Sequence, residues 1–329
     1  MSRTFELYVE NPHELKLREI ESAAAPKDHE VKVKVIYGGI CGSDIKVYKG
    51  KIGYAKYPLR PGHEVLGIIV EAGVGTPYKA GTKVTIFPNT FCGQCEFCLN
   101  GKINICTNKK PLGVSTDGLF GQEVVIDSKY VIPVPDNVPD ERAVLTEPLA
   151  VVVHAIKKVN ISCGTKVAII GCGTEGLLAG AIVLSKGADL TAIDVNSTKL
   201  ELAKRLGNVQ AKLPNEVKDQ RFDLVIEAAG VKASLEQALE IVKPGGTVLA
   251  IGINADPVDL NPIHLVRSEI SILGSIIYTL EDFTDALQYL NDHSLNIEPI
   301  VSKIYSYSEF PKAFEDANSG NYAKIILKF

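Results

Sequence analysis

The chain has 329 residues, 46% of them hydrophobic and 22% charged, with a net charge of −4 and an isoelectric point near 5.9. That length exceeds one ordinary core and implies two domains. A mildly acidic chain carries no basic footprint for nucleic acid or an anionic membrane, and the central apolar run GLLAGAIVLS is far too short to span a bilayer.

The N-terminal stretch MSRTFELYVENPHELKL alternates with polar punctuation and lacks a basic region followed by an apolar one. No secretory leader is expected, and a cytoplasmic location is. Thiols stay reduced there, so the seven cysteines point to metal binding rather than disulfides. Through residue 150 the sequence runs in short period-two stretches, EVKVKVIYGG, EVLGIIVEAGVG, KAGTKVTIF and GQEVVID, broken by Gly and Pro. This pattern predicts a β-rich unit with many turns. TEPLAVVVHAIKKV reads as a helix leading into a second texture. From Lys166 apolar strands (KVAII, DLTAID, FDLVIEAAG, GGTVLAIG, ISILGSII) alternate with amphipathic helices (TEGLLAGAIVLSKG, STKLELAKRLG, KASLEQALEIV). Such alternation implies a doubly wound parallel sheet. The last fifty residues hold a helix, TLEDFTDALQYL, a turn-and-helix segment, YSYSEFPKAFEDANSG, and a closing strand, AKIILKF. The expected division is 1–150 for the β-rich unit, 151–279 for the parallel-sheet unit, and 280–329 returning to the first.

In KVAIIGCGTEG the glycines Gly171, Gly173 and Gly176 follow a strand and open a helix, with Thr174 and Glu175 between them. In a dinucleotide fingerprint the first glycine permits the tight turn and the second admits the pyrophosphate. The third lets helix and strand pack closely, and the helix N-terminus faces the anion. The next strand ends at Asp194, eighteen residues past Gly176. A carboxylate there accepts the ribose hydroxyls and repels a 2′-phosphate, which predicts NAD over NADP.

FCGQCEFCLNGKINIC places Cys92, Cys95, Cys98 and Cys106 on one short loop. Four thiolates close a tetrahedron around zinc and leave no open position, so the site should fasten rather than react. An iron–sulfur cluster uses the same donors; a dinucleotide-binding chain favours zinc. The chemistry then needs another centre. GGICGSDIKVYKG supplies Cys41 and Ser43, LRPGHEVLGIIVEAG supplies His63 and Glu64, and LTEPLAVVVHA supplies Glu147. Singly, each has an ordinary packing or capping role available.

Together, and in order, G-x-C-x-[ST]-D, G-H-E, C-x2-C-x2-C-x7-C and G-x-G-x-x-G resemble the zinc-dependent medium-chain alcohol dehydrogenases over essentially the whole chain. TEPLA resembles the sorbitol, polyol and threonine dehydrogenase branch. The resemblance implies a GroES-like catalytic domain joined to a Rossmann domain, and two zinc ions per chain, one catalytic and one structural. It implies Cys41 and His63 as catalytic-zinc ligands, with Glu64 and Glu147 as the carboxylate positions. Ser43 would pass the hydroxyl proton towards the cofactor, and Gly230, Gly252, Ile253, Ser275 and Ile276 would end strands beneath it. Lys46 stands where many relatives end a proton relay with histidine. Ile277 replaces a polar arginine of sorbitol dehydrogenases, and Leu119 and Phe120 are expected to wall the substrate pocket. The expected enzyme is an NAD-dependent oxidoreductase acting on a secondary alcohol of polyol, diol or sugar type. Threonine-like amino-alcohol oxidation is the enzymatic alternative, and a non-catalytic NAD-binding protein the alternative of another class. A homodimer or homotetramer is expected by the same resemblance.

Overall fold

A computed structural model describes residues 3–329. β1 (Arg3–Asn11) and β2 (Glu14–Glu21) form an antiparallel hairpin. β3 (Glu30–Ile40) follows the expected alternation, burying Val31, Val33 and Val35 while Lys34 is exposed. α1 (Gly42–Tyr48), β4 (Glu64–Ala72), β5 (Lys83–Ile86), α2 (Glu96–Leu99), β6 (Glu123–Asp127) and β7 (Val131–Pro133) complete the β-rich unit. α3 (Asp140–Ala143) and α4 (Thr146–Ile156) lead out of it, and the 150/151 boundary falls inside α4.

The second texture folds as β8 (Lys166–Ile170), α5 (Thr174–Ser185), β9 (Asp189–Ile193), α6 (Ser197–Lys204), β10 (Val209–Lys212), β11 (Phe222–Glu227), α7 (Lys232–Ile241), β12 (Val242–Ala250), α8 (Pro262–Arg267) and β13 (Ser271–Gly274). The strands are all parallel, in the order β10-β9-β8-β11-β12-β13. Val167–Ile170 and Leu190–Ile193 are buried in unbroken runs, because helices cover both faces of a parallel sheet. The order reverses between β8 and β11, so the ligand crevice opens beyond the carboxyl ends of these strands.

The run ISILGSII stays in the sheet only as far as Gly274. Ile277 adopts φ 54°, a left-handed conformation costly for a β-branched residue, and turns the chain away from the sheet. α9 (Leu280–Asn291), capped by Thr279, packs on α4. β14 (Val301–Ser306), α10 (Phe310–Ser319) and β15 (Lys324–Lys328) follow. β15 pairs antiparallel with β3, extending the first sheet to β14-β15-β3-β4-β5-β7, with β6 also on β3. The C-terminal strand thereby runs beside the end of β3, next to Cys41. The architecture is α/β, a GroES-like β-rich unit plus a Rossmann unit. Among the described residues, no helix is long and apolar enough to cross a membrane.

Candidate functional site

At the carboxyl edge of the parallel sheet, Gly171 takes φ 100°, and a Cβ there would lie 2.6 Å from the Ala229 nitrogen. A Cβ on Gly176 would lie 1.8 Å from the Gly171 carbonyl oxygen, so only glycine lets α5 approach the turn. A Cβ on Gly173 would meet nothing within 4 Å. The space in front of the α5 N-terminus is open, as a pyrophosphate requires. Thr174 is spent inside the protein, its hydroxyl donating to the Ala323 carbonyl at 2.9 Å. Asp194 directly follows β9 with both oxygens braced: the Cys172 N–H donates at 2.7 Å and the Asn196 N–H at 2.8 Å. Each oxygen keeps a second lone pair for a ribose hydroxyl. Gly230, Gly252 and Ser275 follow β11, β12 and β13 along the same edge; Ile253 is exposed and Ile276 half-buried. The donors, glycines and space fit a dinucleotide.

The second cluster assembles where β3, α1, β4 and β15 meet. Cys41, at the N-terminus of α1, His63, just before β4, and Glu64 converge so that one ligand atom from each lies within 4.8 Å of the others. Asp44 is fully buried and ties the first two segments together, accepting the Cys41 N–H and the Gly62 N–H, each at 2.9 Å. Its Oδ1 also faces His63 Nδ1 at 3.5 Å, while His63 Nε2 lies 3.3 Å from Ser43 Oγ. Burial depresses His63, but Asp44 and Cys41 outweigh it and raise the imidazole well above its ordinary range. Burial pushes the Cys41 thiol up, against the opposing pull of His63. A thiol, an imidazole and a carboxylate held this close are the donor set of a divalent cation, which would hold the thiol ionised.

The two carboxylates are engaged differently. Glu64 is fully buried, and the equally buried Lys324 on β15 donates to both its oxygens, at 2.7 and 2.6 Å. Burial works against the Lys324 cation, yet Glu64, Cys41 and Glu175 together hold it protonated above the usual lysine range. Glu147, in the first turn of α4, lies outside the converging trio. Its Oε1 accepts the Tyr278 hydroxyl at 2.6 Å, and burial raises its carboxyl to about 7 against the opposing charge of His63.

Lys46 is exposed on α1, its side chain without an ion pair or hydrogen bond to the described residues. Leu119 and Phe120 are not pocket walls. Leu119 packs with Val31 and Val65, and Phe120 is fully buried against Ile40 and Phe329. They fill the β-rich core because the tight loop at Gly62 sits directly on the Phe120 ring. Asp44, Lys324 and Tyr278 are the site residues that the sequence did not announce. Asp44 stood inside the quoted G-x-C-x-[ST]-D pattern, but Lys324 reaches Glu64 from 260 residues away with no local signal.

The four cysteines of the excursion around α2 form a second closed group, their sulfurs all within 4.8 Å of one another. Three of the separations are 3.5, 3.9 and 3.9 Å. A tetrahedron with zinc–sulfur bonds of 2.3 Å has edges of about 3.8 Å. Backbone N–H groups of Cys98 and Thr107 lower Cys95 to about 6, whereas burial and Cys95 push Cys98 up to about 12. The four thiols cannot all ionise around an empty centre; a divalent cation removes that conflict.

A Rossmann sheet with a glycine-rich first turn, joined to a β-rich unit gathering cysteine, histidine and carboxylate, defines a metal-dependent dinucleotide oxidoreductase. Residues 27–136 match the alcohol dehydrogenase GroES-like domain, and residues 176–292 match the zinc-binding dehydrogenase domain. The chain is 34% identical over 317 residues to the sorbitol dehydrogenase of Halalkalibacterium halodurans, covering 92% of each. Its fold superposes on a zinc-binding dehydrogenase of Sinorhizobium meliloti bound to NADP, with a TM-score of 0.93, 27% identity and full coverage of both chains. An alcohol dehydrogenase of Escherichia coli complexed with NADH gives 0.92, 26% and full coverage of both. The chain belongs to the zinc-dependent alcohol dehydrogenase family and is a zinc-dependent oxidoreductase.

Proposed function

We propose that the protein oxidises a secondary alcohol of polyol, diol or sugar type, with NAD as hydride acceptor. The observation that carries this reading is the convergence of Cys41, His63 and Glu64, with the buried Glu147 carboxyl near enough to feel the His63 charge, beside a crevice whose glycine turn fits a dinucleotide. Cys41, His63 and Glu147 hold the reaction zinc. Glu64 sits close enough to serve as an alternative ligand, but Lys324 engages both of its oxygens, which favours Glu147. Cys92, Cys95, Cys98 and Cys106 hold the structural zinc. Bound zinc lowers the pKa of an alcohol hydroxyl, and a nicotinamide accepts the hydride; that is the chemistry the two groups supply.

The rest is the work of the chain's own side chains. Asp44 fixes Cys41 and His63 in register. The Ser43 hydroxyl takes the substrate's hydroxyl proton and hands it towards the cofactor ribose. Lys46, exposed to solvent, is the far end of that relay. Asp194 accepts the adenosine ribose hydroxyls, and its charge disfavours a 2′-phosphate. Gly230, Gly252, Ile253, Ser275 and Ile276 floor the nicotinamide half, while Thr174 and Glu175 fix the helix that receives the pyrophosphate. In this scheme residues 1–150 with 280–329 supply the metal and substrate side, and 151–279 the cofactor side. A homodimer or homotetramer is consistent with β13 ending the parallel sheet as an open edge, with Ile272 exposed.

Formation of reduced cofactor by the zinc-loaded protein should be screened with NAD and with NADP. The panel comprises polyols, diols, sugar alcohols, threonine and simple alcohols. Turnover of a polyol or diol with NAD is expected. Turnover of threonine alone, or of no secondary alcohol, overturns the proposal.

A further inference from the structure

Tyr278 is fully buried, wedged edge-on against Phe87 with ring centroids 5.4 Å apart. Its hydroxyl makes two hydrogen bonds. It accepts from Asn89 Nδ2 at 3.0 Å and donates to Glu147 Oε1 at 2.6 Å. An amide NH₂ can only donate, so the direction of the chain is fixed: Asn89 to Tyr278, Tyr278 to the Glu147 carboxylate. Glu147 Oε1 is thereby committed, and Oε2 makes no hydrogen bond to another described residue.

Both ends of the short segment 276–278 are held by the region that carries the four cysteines. Asn89 lies at the base of that excursion, bridged to Pro111, where the chain enters and leaves it. Asn104, buried between Cys98 and Cys106, donates to the Ile276 carbonyl at 3.1 Å. Between those grips sits Ile277, in its left-handed conformation. Such strain persists only where the surroundings over-determine the backbone, and here two side chains of the cysteine lobe do so.

We propose that the four-cysteine lobe acts at a distance on the reaction centre: through Asn89 and Asn104 it fixes residues 276–278, and Tyr278 positions Glu147 towards Cys41 and His63. This rests on the reading of Glu147 as the carboxylate of the reaction metal. Tyr278 is a positioning residue, not a catalytic one. The lobe thus fastens the loop and also sets the orientation of one ligand some fifty residues along the chain. Outer-sphere partners of a metal ligand typically change metal affinity by about 10- to 100-fold.

The test uses the zinc-loaded full-length protein and the variants Tyr278→Phe, which keeps the ring, and Asn89→Ala. Zinc release into a chromogenic chelator resolves the two ions by rate. The visible spectrum of the cobalt-substituted protein reports each coordination sphere separately. Both variants should release one zinc about 10- to 100-fold faster than the parent, with the effect larger in Tyr278→Phe. The four-thiolate cobalt bands should stay unchanged while the other bands shift. Release within twofold of the parent in both variants, or disturbance of the thiolate bands alone, overturns the inference. Cys41→Ala separates the two levels. If it keeps both zinc ions, the assignment of the reaction site fails. If it loses one and Tyr278→Phe behaves like the parent, only the positioning role fails.

Discussion

Replacing Lys324 by Met keeps a chain of similar length and removes the only cationic side chain among the described residues that touches the Glu64 carboxylate. The two groups are 1% and 0% exposed, and both carboxylate oxygens lie within 2.7 Å of the ammonium nitrogen. Deleting one partner of such a pair leaves an uncompensated buried charge, which costs about 3–5 kcal/mol. For a chain of 329 residues the unfolding entropy is about 0.7 kcal/mol/K, so a loss of about 4 kcal/mol lowers Tm by about 6 °C. The assay is thermal unfolding of Lys324→Met, Glu64→Gln and the double variant in zinc-free protein, because Glu64 adjoins the metal cluster and its replacement would otherwise alter the metal's contribution as well. The single variants should each be destabilised, and the double variant should melt above the sum of their effects. A coupling energy of less than about 0.5 kcal/mol would refute the reasoning, because groups in direct contact within one network couple by more.

Asp194→Ala should lower the preference for NAD over NADP by about 10- to 100-fold in kcat/KM, the worth of one or two hydrogen bonds to a charged group. Unchanged selectivity removes that assignment. Gly176→Ala drives a methyl group to within 1.8 Å of the Gly171 carbonyl and should abolish dinucleotide binding, measured by quenching of reduced-cofactor fluorescence. Normal affinity would mean that the turn has room to spare. In zinc-free protein Glu147 titrates at about 7, raised by burial. A raised carboxylate pKa means that the folded state holds the proton that the unfolded state has lost between about 4.5 and 7. Stability from this group therefore falls as pH rises through that window, and zinc binding expels one more proton below pH 7 than above it. The slope of log zinc affinity against pH should steepen by one unit below about 7, and Glu147→Gln should remove the break.

The β-rich and parallel-sheet units were legible because period-two alternation and buried apolar runs are local signals, and because Gly171, Gly173 and Gly176 stand at fixed offsets from a strand. Cys92, Cys95, Cys98 and Cys106 announce themselves by spacing alone. The reaction centre is different. Cys41, His63 and Glu147 had meaning only as a set, and the groups that orient them were silent. Lys324 looks like any polar residue opening a terminal strand, and its burial depends on β15 pairing with β3. Tyr278 directly follows a run that reads as strand, and the left-handed turn at Ile277 swings its hydroxyl onto Glu147. Phe120 misled in the opposite sense, since an apolar loop residue looks the same whether it lines a pocket or fills a core.

The central claim is a division of labour between two metal centres, and counting zinc ions per chain by native mass spectrometry tests it most directly. The parent should carry two, and Cys41→Ala should carry one while remaining folded and binding dinucleotide. One zinc in the parent, or two retained in Cys41→Ala, would contradict the account.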